Sequence, residues 1–81
     1  MKLSVKLFAV ARQRVGRDCV EVEVPLGSTI RQLRGAMVEQ FPALADVMAH
    51  VRLAVNSDYA ADGMTIPASA EVAVIPPVSG G

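Results

Sequence analysis

Residues 2–8 alternate without interruption: Leu3, Val5 and Leu7 fall on one side, and Lys2, Ser4, Lys6 and Phe8 on the other. Successive side chains of an extended chain point to opposite faces, so a period of two marks a strand with one face on a core and one toward solvent. Residues 19–24 repeat the pattern, with Val20, Val22 and Val24 inward and Glu21 and Glu23 outward. The stretch 9–18 between them carries Arg12, Arg14, Arg17, Gln13 and Gly16. It reads as a polar connection with at most a helical turn, so the two strands are expected to form an antiparallel hairpin with a long loop. A hairpin with one apolar face needs a cover, and the rest of the chain must supply it.

That cover is legible downstream. Pro25, Gly27 and Ser28 break the second strand, and Ser28 has the chemistry of a helix N-cap. Ile30, Leu33, Met37, Val38 and Phe41 then form one apolar helical stripe, with Arg31, Arg34, Glu39 and Gln40 read as facing water. Gly35 lies inside this helix at a cost of roughly 1 kcal/mol relative to alanine, and Pro42 ends it. Leu44, Val47 and Met48 suggest a second short helix, followed by a strand at 52–55. Asn56-Ser57-Asp58 is turn chemistry. A very short strand at Tyr59-Ala60 and another turn at Asp62-Gly63 follow. The last strand is 71–75, with Val72 and Val74 inward and Ala73 and Ile75 outward. The order is β-β-α-(α)-β-(β)-β. It implies an α+β domain of the β-grasp, or ubiquitin-like, type: a mixed sheet covered on one face by a main helix.

Bulk properties narrow what such a domain does. With 81 residues it is a single domain, here 1–75, followed by a tail at 76–81. A chain this short buries only about 60% of its unfolded surface, which leaves no depth for a catalytic cleft. Apolar residues make up 52% of it, a surplus suited to an interface. Eight basic residues balance eight acidic ones, with two Phe, one Tyr and no Trp. That composition argues against nucleic acid, which calls for a basic excess and aromatic platforms. Cys19 is alone, so no disulfide framework forms; it reads as a small buried hydrophobe at a strand start rather than a sulfur-bearing group. His50 has no companion ligands at metal spacing. No serine-histidine-acid set and no phosphate-binding glycine loop is present. The apolar runs are too short to span a membrane, and Met1-Lys2 leads straight into a strand rather than a signal sequence. The expectation is a cytoplasmic domain with no metal, no membrane contact and no stably held cofactor, and no enzyme on its own.

The tail carries the chemistry. After Ile75 the pattern stops in Pro76-Pro77-Val78-Ser79-Gly80-Gly81. The prolines cannot extend a strand ladder and favour an extended chain, and six residues reach about 20 Å. Glycine has no Cβ, so a Gly80-Gly81 end can enter a slot too narrow for any side chain. A carboxylate is a poor electrophile. Condensed with ATP to an acyl adenylate it gains a leaving group, and a sulfur nucleophile can then displace AMP to leave a thiocarboxylate or thioester. The plain alternative is a frayed or added end with no role.

Several stretches together resemble one family. The ending Val74-Ile75-Pro76-Pro77-Val78-Ser79-Gly80-Gly81, the opening Leu7-Phe8-Ala9-x-Ala11-Arg12, the helix start Thr29-x-x-x-Leu33-Arg34 and the strand end Ala54-Val55-Asn56 are similar to the small subunit of molybdopterin synthase, the MoaD family. The resemblance covers essentially the whole chain, and its ending is the most diagnostic part. It implies a sulfur carrier of molybdenum cofactor biosynthesis. Gly81 would be adenylated by a MoeB-like activating enzyme using ATP and converted to a thiocarboxylate. Inserted into a MoaE-like large subunit, it would give its sulfur to cyclic pyranopterin monophosphate. A heterotetramer of two small and two large subunits is implied, with Pro76, Pro77, Val78 and Ser79 leading the glycines into the partner. One departure is the turn before the last strand, where many members carry Asp-Gly-Asp-Glu and this chain has Ala68-Ser69-Ala70-Glu71.

Alternation adds an expectation about partners. Phe8 and Ile75 both fall on the face away from the core, and in a β-grasp the first and last strands are neighbours. Tyr59 can join them from the short strand. An apolar patch at the root of the tail is what a partner needs in order to hold the domain, and the resemblance places its partner-binding hydrophobic residues at these positions. The other reading is that Phe8 and Ile75 simply cover a sheet edge. Arg12 either meets a partner carboxylate or stays solvated; Arg14, Arg17, Arg31 and Arg34 read as solvated. Two further readings stand beside the first: a sulfur carrier for thiamine, cysteine or tRNA thiolation, and a ubiquitin-like modifier or interaction module.

Overall fold

A computed structural model describes residues 1–76. The tail positions Pro77, Val78, Ser79, Gly80 and Gly81 lie outside the described residues. The elements are β1 (Lys2–Leu7), α1 (Ala9–Val15), β2 (Cys19–Glu23), α2 (Ile30–Gln40), a 3-10 turn (Pro42–Leu44), β3 (Arg52–Val55), β4 (Asp58–Ala60) and β5 (Glu71–Ile75).

The strands form one mixed sheet in the order β2-β1-β5-β3-β4. β1 pairs antiparallel with β2 and parallel with β5, while β3 runs antiparallel to both β5 and β4. The alternation read from the sequence survives in the packing. Leu3, Val5, Leu7, Val20, Val22, Val72 and Val74 are buried in one core with Ile30, Leu33 and Met37 of α2. Each such side chain contributes about 1.5–3 kcal/mol by leaving water, so the sheet–helix layer dominates the stability of so small a domain. Val38 and Phe41 pack against its rim.

Several local details differ from the sequence reading. Residues 9–15 form a two-turn helix rather than a loop with a single turn. Ala11 is buried, Val15 packs on the core, and Gly16 closes the helix at φ 78° in the left-handed region that glycine tolerates. The cap of α2 is Thr29, not Ser28. Thr29 Oγ1 accepts the Gln32 backbone N–H at 3.3 Å, and Gln32 Oε1 accepts the Thr29 N–H at 2.8 Å. This reciprocal box satisfies two orphan donors. Ser28 is buried and donates its hydroxyl to the Pro25 carbonyl at 2.6 Å. The second helix is a 3-10 turn continued by further turns, although Leu44, Val47 and Met48 are all buried as expected.

Two arginines read as solvated are engaged. Arg34, its side chain only 23% exposed, donates Nε to Asp62 at 2.9 Å and Nη1 to the Met48 carbonyl at 2.7 Å. It ties α2 to two loops. Arg14 pairs with Asp46 at 2.7 Å and holds that carboxyl below its ordinary range. Cys19 is exposed, not buried, because strand periodicity sets it on the solvent face with Glu21 and Glu23. Asn56 and Ser57, at φ 50° and 75°, form the two-residue turn joining β3 to β4. Ser69 takes φ 62° in the turn before β5, in the left-handed region that glycine tolerates best.

Candidate functional site

The sheet has one face on α2 and one face open, and its register decides which side chains share the open face. β1 and β5 pair Lys6 with Ala73 and Leu7 with Val74, so Phe8, the next residue, comes level with Ile75. β5 and β3 pair Ile75 with Arg52 and Ala73 with Ala54, and β3 sets Ala54 opposite Tyr59. Directly paired residues project to the same side. Phe8, Ile75, Ala73, Ala54 and Tyr59 therefore form an apolar field, and they line a shallow depression of about 410 Å³. Phe8 is 44% and Tyr59 62% exposed, large values for aromatic side chains on a domain with three of them. Pro76, where the tail begins, follows Ile75 directly.

Charge borders this field in two places. Lys6 Nζ lies 2.7 Å from Glu71 Oε1, and both residues line the depression. The hydrogen bond to Glu71 raises the Lys6 pKa above 10.5, and the same bond lowers that of Glu71 below 4.5. The Arg52 guanidinium lies 5.2 Å from the centre of the Tyr59 ring, a cation–π contact that steadies both side chains beside the tail root. Arg12 is not part of this depression. It lies in a neighbouring one that shares Phe8 and Lys6, where it faces Asp18 at 3.6 Å and Cys19. The structure thus brings Phe8, Tyr59, Ile75 and Pro76 together and leaves Arg12 on the flank.

The sequence reading did not single out Lys6, Glu71 or Arg52. All three alternate outward, but only the register shows that Lys6 meets Ala73 and Glu71 and that Arg52 meets Ile75. Among the described residues, no group of His, Cys, Asp and Glu is placed to hold a metal ion, and no helix is long and apolar enough to cross a membrane.

A mixed sheet with its first and last strands parallel at the centre, one main helix on one face and an apolar field at the exit of the last strand defines the β-grasp, ubiquitin-like class. Within that class the chain belongs to the ThiS family, which it matches over residues 5–81. It is 37% identical to the molybdopterin synthase sulfur carrier subunit of Arabidopsis thaliana over 81 residues, all of this chain and 84% of the relative. The protein of the same name from Caenorhabditis briggsae is 36% identical over 83 residues, covering all of this chain and 99% of the relative. Among solved structures, small archaeal modifier protein 1 from Haloferax volcanii superposes with a TM-score of 0.83 at 32% identity, with 100% of each chain covered. The resemblance seen in the sequence motifs is therefore a true relationship over the full length.

Proposed function

We propose that this chain is the sulfur-carrier subunit of a molybdopterin synthase. The observation that carries the reading is full-length similarity to carriers of that name, continued through Gly81, on a domain whose exposed apolar field opens where the tail departs. A partner gripping Phe8, Tyr59 and Ile75 holds the domain by a preformed patch, leaving the tail free to enter its active site.

The chemistry follows from the tail. A MoeB-like enzyme binds ATP and condenses it with the Gly81 carboxylate, releasing pyrophosphate and giving an acyl adenylate. Sulfur displaces AMP, leaving a thiocarboxylate on Gly81. Gly80 and Gly81 admit this group to the tunnel of a MoaE-like large subunit because no Cβ obstructs them. Pro76 and Pro77 stiffen the approach, and Val78 and Ser79 complete it. There the sulfur passes to cyclic pyranopterin monophosphate. The small subunit supplies no acid, base or metal. It works in the cytoplasm within a heterotetramer of two small and two large subunits, and holds no cofactor of its own.

Incubation with the activating enzyme, ATP and a sulfur donor is expected to raise the intact mass by one oxygen-to-sulfur exchange. Synthase activity that survives deletion of Gly81 would sink the proposal. Similarity to the archaeal modifier favours a second reading, attachment of Gly81 to lysines of other proteins. Isopeptide-linked conjugates in cells, lost on deletion of Gly81, would support it.

A further inference from the structure

Activating a C-terminus creates a hazard for the chain that carries it, because an acyl adenylate or thioester reacts with any neutral amine it can reach. The eight basic residues comprise two lysines, Lys2 and Lys6, and six arginines. A guanidinium stays protonated throughout the working range and does not act as an acyl acceptor, whereas a lysine amine does so once deprotonated. The residue paired with Ile75 at the tail root is Arg52, and Arg12 stands with Lys6 beside Phe8.

Topology separates the two lysines. β1 runs parallel to β5 with Lys6 opposite Ala73, three residues before Pro76, or about 10 Å along the strand. Extending the same register puts Lys2 level with position 69, seven residues before Pro76 and about 23 Å away. The five residues 77–81 span at most about 17 Å. Lys2 lies at the limit of that reach even with its own side chain stretched toward the tail, and the Met1 amine, which donates to the Val24 carbonyl at 2.6 Å, lies further still. Lys6 is within range, on the same open face as Ile75. It is also the lysine held by a carboxylate, at 2.7 Å.

Building on the sulfur-carrier reading, we infer that Glu71 guards the activated C-terminus by holding the Lys6 amine in an ion pair on the sheet face, so that the chain does not acylate itself. The reaction prevented is a simple aminolysis. The neutral Nζ attacks the Gly81 carbonyl carbon, the C–N bond forms, and the bond to AMP or to a thiol breaks. The leaving group departs with the electron pair, and the amine proton passes to solvent. The product is an internal isopeptide one water lighter than the free acid, and the carrier is spent. Other groups facing Lys6 are the Cys19 thiol, paired with it across β1–β2, and the Arg12–Asp18 pair in the adjoining depression. None supplies a second carboxylate as close as Glu71.

The test needs no partner enzyme. The 81-residue chain is fused ahead of an intein and released with 2-mercaptoethanesulfonate, which leaves a thioester on Gly81. It is then held in mildly alkaline buffer and followed by intact mass spectrometry. The wild-type thioester is expected to hydrolyse to the free acid. Glu71→Gln is expected to form several-fold more of the species one water lighter. That species should resist hydroxylamine, which cleaves a Cys19 thioester but not an amide, and should map to a Gly81–Lys6 link. It should vanish in Lys6→Arg/Glu71→Gln. An equal yield of the lighter species from wild type and Glu71→Gln overturns the inference, as does its persistence in the double variant. Failure of the sulfur-carrier reading would show separately, as no ATP-dependent mass gain with the activating enzyme.

Discussion

The apolar field at the tail root makes a quantitative demand on Phe8. Its side chain is 44% exposed, so of the roughly 200 Å² that a phenylalanine can bury, about 90 Å² is open to a partner. At about 25 cal/mol per Å² this is worth roughly 2 kcal/mol, or about 30-fold in Kd. Phe8→Ala is therefore expected to weaken binding to the large synthase subunit about 30-fold, measured by isothermal titration with the tail intact. Tyr59→Ala, starting from a 62% exposed ring, should cost at least as much. Because Phe8 is not a core residue and makes no side-chain cap bond at the start of α1, the thermal midpoint of the free domain should move little. A Kd for Phe8→Ala within about twofold of the parent, for a folded variant, refutes the assignment of this face to docking.

Two further outcomes test the fold. Gly35 is exposed inside α2 with nothing within 4 Å of the position of an added Cβ; Gly35→Ala should stabilise by about 0.5–1 kcal/mol, raising the melting temperature by roughly 4 °C, and a lowered midpoint would show a hidden clash. Asp46 is held below its ordinary pKa of 3.8, first by its hydrogen bond from Arg14. Its contribution is thus fully present at neutral pH and lost as acid titrates the folded carboxyl, so the melting deficit of Arg14→Gln should fade only once the pH falls below the ordinary carboxylate value; a deficit that persists unchanged there contradicts the pairing.

The strands were legible because their signal is local: period two needs only consecutive residues, and Leu3, Val5, Val20, Val22, Val72 and Val74 all packed as alternation required. α1 was missed because two arginines and a glutamine dilute its short apolar face. Ala11 and Val15 one turn apart, with Gly16 at the cap, were the available signs. Thr29 and Gln32, spaced as a capping box, likewise pointed past Ser28. Arg34 was beyond reach, since its burial depends on Asp62 and Met48 arriving from elsewhere in the chain. The site divides in the same way. Phe8 and Ile75 could be brought together from alternation plus the adjacency of first and last strands. The Lys6–Glu71 and Arg52–Tyr59 contacts depend on residue-level register, which no local pattern encodes.

The parallel pairing of β1 with β5 has a consequence for when this molecule becomes recognisable. Phe8 leaves the first strand and Ile75 ends the last, and they become neighbours only when the two close against each other at the middle of the sheet. A chain in which β5 has not yet closed against β1 has no such surface, and the loop to be closed spans nearly the whole domain. A partner that grips here would find its surface only on copies in which the last strand has closed against the first.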